Sequence, residues 1–149
     1  MVKDKLKLRG DVAIVIKAAD GSIKDTRNIH NLVVDDGLNF IVSRMKDTTQ
    51  DAMTHMAVGS STTAAAAGQT DLVSILGSRE ALDSTVVAAN VVTYVSSFEA
   101  GEGTGAVTEA GIFNAASSGD MLCRTVFSVV NKGASDSMTI TWAITLTAS

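Results

Sequence analysis

Proline is missing from this 149-residue chain, cysteine occurs once, and aromatic residues supply only 4% of positions. Without proline, turns must be made by Gly, Asn and Asp, so those residues mark the boundaries between elements. The single Cys123 excludes an intrachain disulfide, and a chain of this length can bury one core without such a staple. The only histidines, His30 and His55, have no second His or Cys at ligand spacing, which excludes the familiar zinc patterns. No apolar run approaches a membrane-spanning length, and the N-terminus alternates charges where a signal peptide would carry an apolar core. A soluble protein made in a cytoplasm, with no membrane partner, is therefore expected. A formal net charge of -4 offers no concentrated basic surface to a polyanion, so no specific nucleic-acid partner is expected either.

What the chain does contain is Ala, Val, Ile and Leu interleaved with Ser and Thr. Its 46% hydrophobic content, so distributed, suits strands better than disorder. "KLKLRGDVAIVIKA", from Lys5 to Ala18, alternates and then turns continuously apolar. With Asp20-Gly21 and "SIKDTRNIHNLVV" behind it, it reads as an opening β-hairpin. In "VVDDGLNFIVSRMKD", Asp35 or Asp36 can cap a helix whose Leu38, Ile41, Val42 and Met45 form the face that packs on a sheet. "MTHMAVGSS" reads as a short strand, "TTAAAAGQT" as a small-residue loop, and "TDLVSILGSRE" as a short helix capped by Thr70 or Asp71 and broken near Gly77.

Five strands are expected after Arg79. Two flank Ala89 and Asn90, and "AVTEAGIFNA", "MLCRTVFSVVN" and "SMTITWAITLTA" come after them, separated by turn-like clusters. The last is the cleanest, with Met138, Ile140, Trp142, Ile144 and Leu146 on one face. The expected fold class is mainly β (α+β): a single domain over residues 1–149, an antiparallel β-sandwich or barrel-like meander with one or two short helices packed on it.

Candidate chemistry begins with "SSFEAGEGTGAVTEAGIFNA", Ser96 to Ala115, where Gly101, Gly103 and Ala106 stand in the order of a dinucleotide fingerprint, with Asp120 beyond. That fingerprint works only where a strand leads through the glycines into a long helix of a parallel unit. Here Gly111 interrupts the segment behind the glycines, and turn residues arrive at Ser117, too soon for a crossover helix. The glycines then read as a flexible connection between strands, and no cofactor is expected. Glu99 and Glu102 read as solvated loop carboxylates. Glu109, near the start of a strand, suits a structural carboxylate that accepts from backbone amides or meets Arg124 or Arg79. No spacing of Ser, His and acid selects a nucleophile, and Cys123 reads as a small buried strand residue. His30 and His55 read as strand or loop residues with local hydrogen bonds. No catalytic, cofactor or metal residue is assigned.

One surface remains. Lys3, Lys5, Lys7 and Arg9 occupy alternate positions and in an extended strand face one side. They make either a charge-guarded strand edge or, over residues 1–9, an arm that docks on an acidic neighbouring subunit.

The order of "NLVVDDGLNFI", "AVGSSTTAAAAGQTDL", "EAGIFNA" and "GDMLCRTVF", closed by "MTITWAITL", resembles a group of small virion proteins of tailed bacteriophages, over nearly all of the chain from His30 onward. The resemblance implies a non-enzymatic structural protein of the virion, made in the host bacterial cytoplasm, and it carries over no catalytic residues. A capsid decoration or cement protein is expected, with the major capsid protein or another virion protein as partner and a homo-oligomer as its own state. A tail, baseplate or tail-fibre adaptor is the alternative. The chain has no heptad or fibrous repeat with which to build a shaft, which favours the capsid surface.

Overall fold

The first hairpin closes at the expected place. Gly21 takes a positive φ of 86°, and Asp20 Oδ1 accepts from the Ser22 amide and hydroxyl at 2.9 and 2.6 Å. A computed structural model describes residues 5–46 and 50–148. Within them run β1 (Leu6–Lys17), β2 (Ile23–Val33), α1 (Asp35–Arg44), β3 (His55–Gly59), β4 (Glu80–Ala81), β5 (Ser84–Ala88), β6 (Val91–Phe98), β7 (Gly105–Phe113), β8 (Met121–Lys132) and β9 (Ser137–Ala148). The fold is mainly β with one short helix, as expected.

The nine strands form one antiparallel sheet in the order β4-β3-β7-β8-β2-β1-β9-β6-β5. The five strands expected after Arg79 are all present as β5 to β9. β5 pairs with β6, and β7 with β8, as hairpins do. β6, however, bonds β9, while β7 bonds β3, so the chain crosses between distant parts of the sheet from β6 to β7, and again from β8 to β9. β1 and β9 are neighbours along their whole length, from Leu6 opposite Ala148 to Lys17 opposite Ser137. β2 meets β8 only at Leu32 and Val33. Beyond that point Arg27, held in register by Asp25, donates to the Ser128 and Val129 carbonyls at 3.3 and 3.1 Å.

The ends of the sheet are drawn together by one segment. Ala81 pairs with His55 of β3, the Leu82 amide donates to Thr54 O at 2.9 Å, the Asp83 amide donates to Val95 O at 2.7 Å, and Ser84 pairs with Val95 of β6. The sheet therefore curls into a half-barrel around a core that includes Ile14, Ile16, Met56, Phe98, Ile112, Met138, Ile140 and Trp142. Successive strand residues point to opposite faces. Thus Met56 and Ile112 enter that core, while Ala57 and Phe113 join Val34, Leu72 and Met121 in a second, smaller one on the other face.

One position shows how tightly the main core is registered. Asn31 reaches across Gly10, its pairing partner on β1, to accept a bond from Trp142 Nε1 at 3.1 Å. A methyl group at Gly10 would coincide with the Asn31 carboxamide, so only glycine lets the side chain pass.

Two expectations about helices are corrected. Helix α1 exists, but of its expected face only Ile41 packs against the core; Leu38, Val42 and Met45 are 41%, 64% and 84% exposed, and Gly37 and Phe40 are buried instead. Neither aspartate caps it. Its N-cap is Val34, and Asp36 accepts the Met121 amide at 2.8 Å, so it is tied to the sheet instead of to its own helix. The second expected helix, over Thr70–Glu80, does not form. Residues 70–79 are irregular, with bends and a single bridge, Gly59 to Ile75, and Glu80 opens β4.

Candidate functional site

The reason that second helix is lost is also the best-built polar site of the molecule. β7 places Glu109 opposite Gly59 of β3 and Val126 of β8, under the irregular stretch that covers this part of the sheet. A covered stretch without regular structure must still satisfy its amides. Glu109 Oε1 accepts from Ser74 at 2.7 Å and Ser61 at 3.3 Å, and Oε2 accepts from Val73 at 3.1 Å. Leu76 completes the anchoring by donating to Val58 O at 2.8 Å. The carboxylate lies over Gly59, where a Cβ would overlap it.

Its charge is balanced by Arg124 of β8, whose Nε and Nη2 lie 2.9 and 2.7 Å from Glu109 Oε2. Both side chains are 0% exposed. Nη1 of Arg124 donates to Gln69 Oε1 and Thr63 O, and Nη2 to Thr63 O, each at 3.0 Å. The expectation for Glu109 thus holds, with Arg124 as the partner. Arg79 instead stacks over the Phe113 ring at 3.6 Å and donates to the Ala115 and Ser118 carbonyls. The expected small-residue loop is what Arg124 grips. A buried pair so fully bonded is a fastening: breaking it would strand a charge away from water.

A second cluster has almost no mark in the sequence. Lys132 is 2% exposed, and its Nζ donates to Glu99 O and Asp136 O, both at 2.8 Å. Burial holds its ammonium below the usual lysine range. Asp136 accepts from Lys24 at 2.6 Å and from the Gly133 amide at 2.8 Å, and the Lys24 bond holds its carboxyl below the ordinary 3.8. The only signal for Lys132 is a lysine closing the run "VFSVVNK".

These contacts change the reading of the glycine connection between β6 and β7. Gly101, Gly103 and Gly105 do take positive φ, at 86°, 56° and 141°. The connection is nonetheless held: Lys132 grips Glu99 O, the Gly101 amide donates to Ala134 O at 2.9 Å, and buried Gly103 abuts Val58 and Phe98.

Of the basic residues expected on one face, Lys7 and Arg9 lie on the outer side of β1, and Lys5 stands exposed just before it. Lys3 lies outside the described residues. Arg9 Nε donates to Asp11 Oδ1 at 3.0 Å, an oxygen that also lies 2.7 Å from His30 Nδ1. Leu6–Arg9 pair with Ala148–Thr145 of β9, but β2 joins β1 only from Gly10. Among the described residues no strand covers their other edge. His55 makes a local contact to Thr54 Oγ1 at 2.8 Å. Cys123 is buried, which pushes its thiol pKa well up and keeps it from acting as a thiolate. Among the described residues no group of three His, Cys, Asp or Glu could hold a metal, and no helix is long and apolar enough to cross a membrane.

No protein-family model, no curated protein and no solved structure matches the chain.

Proposed function

We propose that this chain is a non-enzymatic structural protein of a tailed-bacteriophage virion, a decoration or cement protein that binds across neighbouring subunits of the major capsid protein and stabilises the head. The observation that carries the reading is the N-terminal end of β1. Among the described residues, Leu6–Arg9 form an extended strand paired on one side only, with Lys7 and Arg9 on its outer face. Such a segment can add to an acidic neighbour by backbone pairing and charge together. The resemblance of the chain to small virion proteins supports the same reading. So does Glu109–Arg124, whose carboxylate and guanidinium are taken up by backbone groups of the covering segment, as suits a scaffold better than acid–base chemistry. A cement protein acts by occupying many equivalent junctions, each contact weak and the sum large.

Quantitative mass spectrometry of purified particles tests this. On the order of hundreds of copies per virion, with heads less heat-stable when the protein is deleted, is the expected result for a lattice-wide cement. A handful of copies with an adsorption defect would overturn it in favour of a tail, baseplate or fibre adaptor, and absence from particles would overturn both. Exchanging Lys5, Lys7 and Arg9 for Glu should abolish incorporation. Undiminished incorporation would remove the N-terminal strand from the mechanism.

A further inference from the structure

The two outermost strands of the sheet differ in a way that points to a second copy of this chain. β4 is two residues long, and shortness is one of the ordinary guards against edge-to-edge pairing. β5 runs for five residues, Ser84–Ala88, every one of them exposed. Charge, proline and a bulge are the other usual guards, and β5 has none: no charged residue occurs between Ser84 and Phe98, the chain lacks proline, and the register from Ser84–Val95 to Ala88–Val91 is unbroken.

β5 sets one valine on each face. Val87 pairs with Val92, which pairs with Ile144, so Val87 continues the inner row of the core although it is itself 74% exposed. Val86 pairs with Thr93 and through it lines up with Ala143 on the outer face, and is 57% exposed. A shallow groove of about 270 Å³ beside Val87, lined by Val91, Val92, Ile144 and Leu146, extends the apolar inner surface.

We propose that β5 pairs antiparallel with β5 of a second copy, about a two-fold axis perpendicular to the sheet, so that two half-barrels share one continuous sheet. Such an axis keeps the faces of the sheet and therefore matches residues that point the same way. Centred on Val86, it sets Val86 opposite Val86, Thr85 opposite Val87 and Ser84 opposite Ala88, and engages all five residues of both strands. The occupant is a second copy because an isologous contact sets each side chain against itself or its near neighbour. A charged edge would repel itself there, and this edge is neutral. Two copies with a net charge of -4 each bring no like charges together between Ser84 and Ala88. The contact is small beside the roughly 1,200–2,000 Å² of ordinary stable interfaces, so association depends on concentration. The inference stands apart from the virion reading, and its failure would leave that reading as it was.

Sedimentation velocity of the full chain over a concentration series should show monomer passing to dimer. Val86→Lys sets two ammonium groups face to face and should leave only monomer, with circular dichroism and, at dilutions where wild type is monomeric, the unfolding midpoint unchanged because the position is exposed. Mixing Val86→Lys with Val86→Glu should restore the dimer. Val86→Cys should cross-link to itself under mild oxidation, since opposed Cβ atoms lie about 4.5–5.5 Å apart, and buried Cys123 stays silent. Cysteine at Ser78, outside β5, should not cross-link. A wild-type chain that remains monomeric throughout, dimerisation undiminished by Val86→Lys, or equal cross-linking at both cysteines would each overturn the proposal.

Discussion

Half of the sheet faces water on one side and half is buried on both. In β1, β6 and β9 burial alternates residue by residue, as in the regular inward series from Met138 to Ile144. In β3, β7 and the first part of β8 nearly every residue is buried. The sequences of the two halves are not very different in hydrophobicity. What separates them is a cover: the irregular chain from Ser60 to Arg79 and helix α1 lie over the second half. That cover is fastened by the Glu109–Arg124 pair and by the small second core around Phe113. A sheet face can be closed by chain without regular structure, provided that a buried charge pair takes up the backbone groups a helix or strand would have satisfied internally.

Removing the fastening should do the most to abolish the difference. Arg124→Ala leaves Glu109 as an unpaired buried carboxylate and should cost about 3–5 kcal/mol in urea unfolding. Limited proteolysis should then cut within residues 60–79 before the rest of the chain. A loss under about 1 kcal/mol, the scale of an exposed ion pair, would mean that the cover is held by its apolar contacts alone. In the open half, Gly10→Ala should cost about 1–3 kcal/mol through overpacking and shift the emission of Trp142, the only tryptophan, as Asn31 is pushed off it.

At the junction of β2 with the β8–β9 turn, acid provides a gentler probe. Because Asp136 has its carboxyl held below 3.8, chiefly by Lys24, its contribution is fully present above that value and is lost as pH falls through the lower folded value. Lys24→Met should therefore be less stable than wild type near neutrality and converge with it in strong acid. A difference that persists unchanged in acid would assign the effect to packing of the lysine stem. The smallest effect belongs to the outer face of the cover. Val42→Gln on α1 should change stability by no more than about 0.5 kcal/mol, whereas Phe40→Ala, which empties a core position, should cost several times as much.

The open half was the more legible in sequence. Alternation in "SMTITWAITLTA" and the Asp20-Gly21 turn arise from local geometry, and the β1–β2 hairpin and β9 appear where those signals stand. In the covered half, local signals lost to distant partners. Leu72, Ile75 and Leu76 have helical spacing, but the amides of Val73 and Ser74 bond a carboxylate some 35 residues away. On α1, Leu38, Val42 and Met45 form the more continuous apolar stripe, yet the chain leaves β2 at buried Val34 so that Phe40 faces inward. Glu109 was legible because a carboxylate within an otherwise apolar strand, with an arginine on the next, has few other uses, although it lies at the middle of β7 and not near its start. The Lys132 cluster was not, since its partners are two carbonyl oxygens, which any residue could supply. Pairing between β6 and β9, or β7 and β3, has no local mark at all.

The adjacency of β1 and β9 sets an order of events during synthesis. The hairpin of β1 and β2 is made well before β9, and one edge of β1 stays open until residues 137–148, its partners along all twelve positions, have been made. The contact of greatest sequence separation is thus among the most extensive, which slows closure and leaves an apolar strand exposed to mispairing in the meantime. Closure of the sheet waits for β9, and removing that strand takes from β1 its partner at all twelve positions.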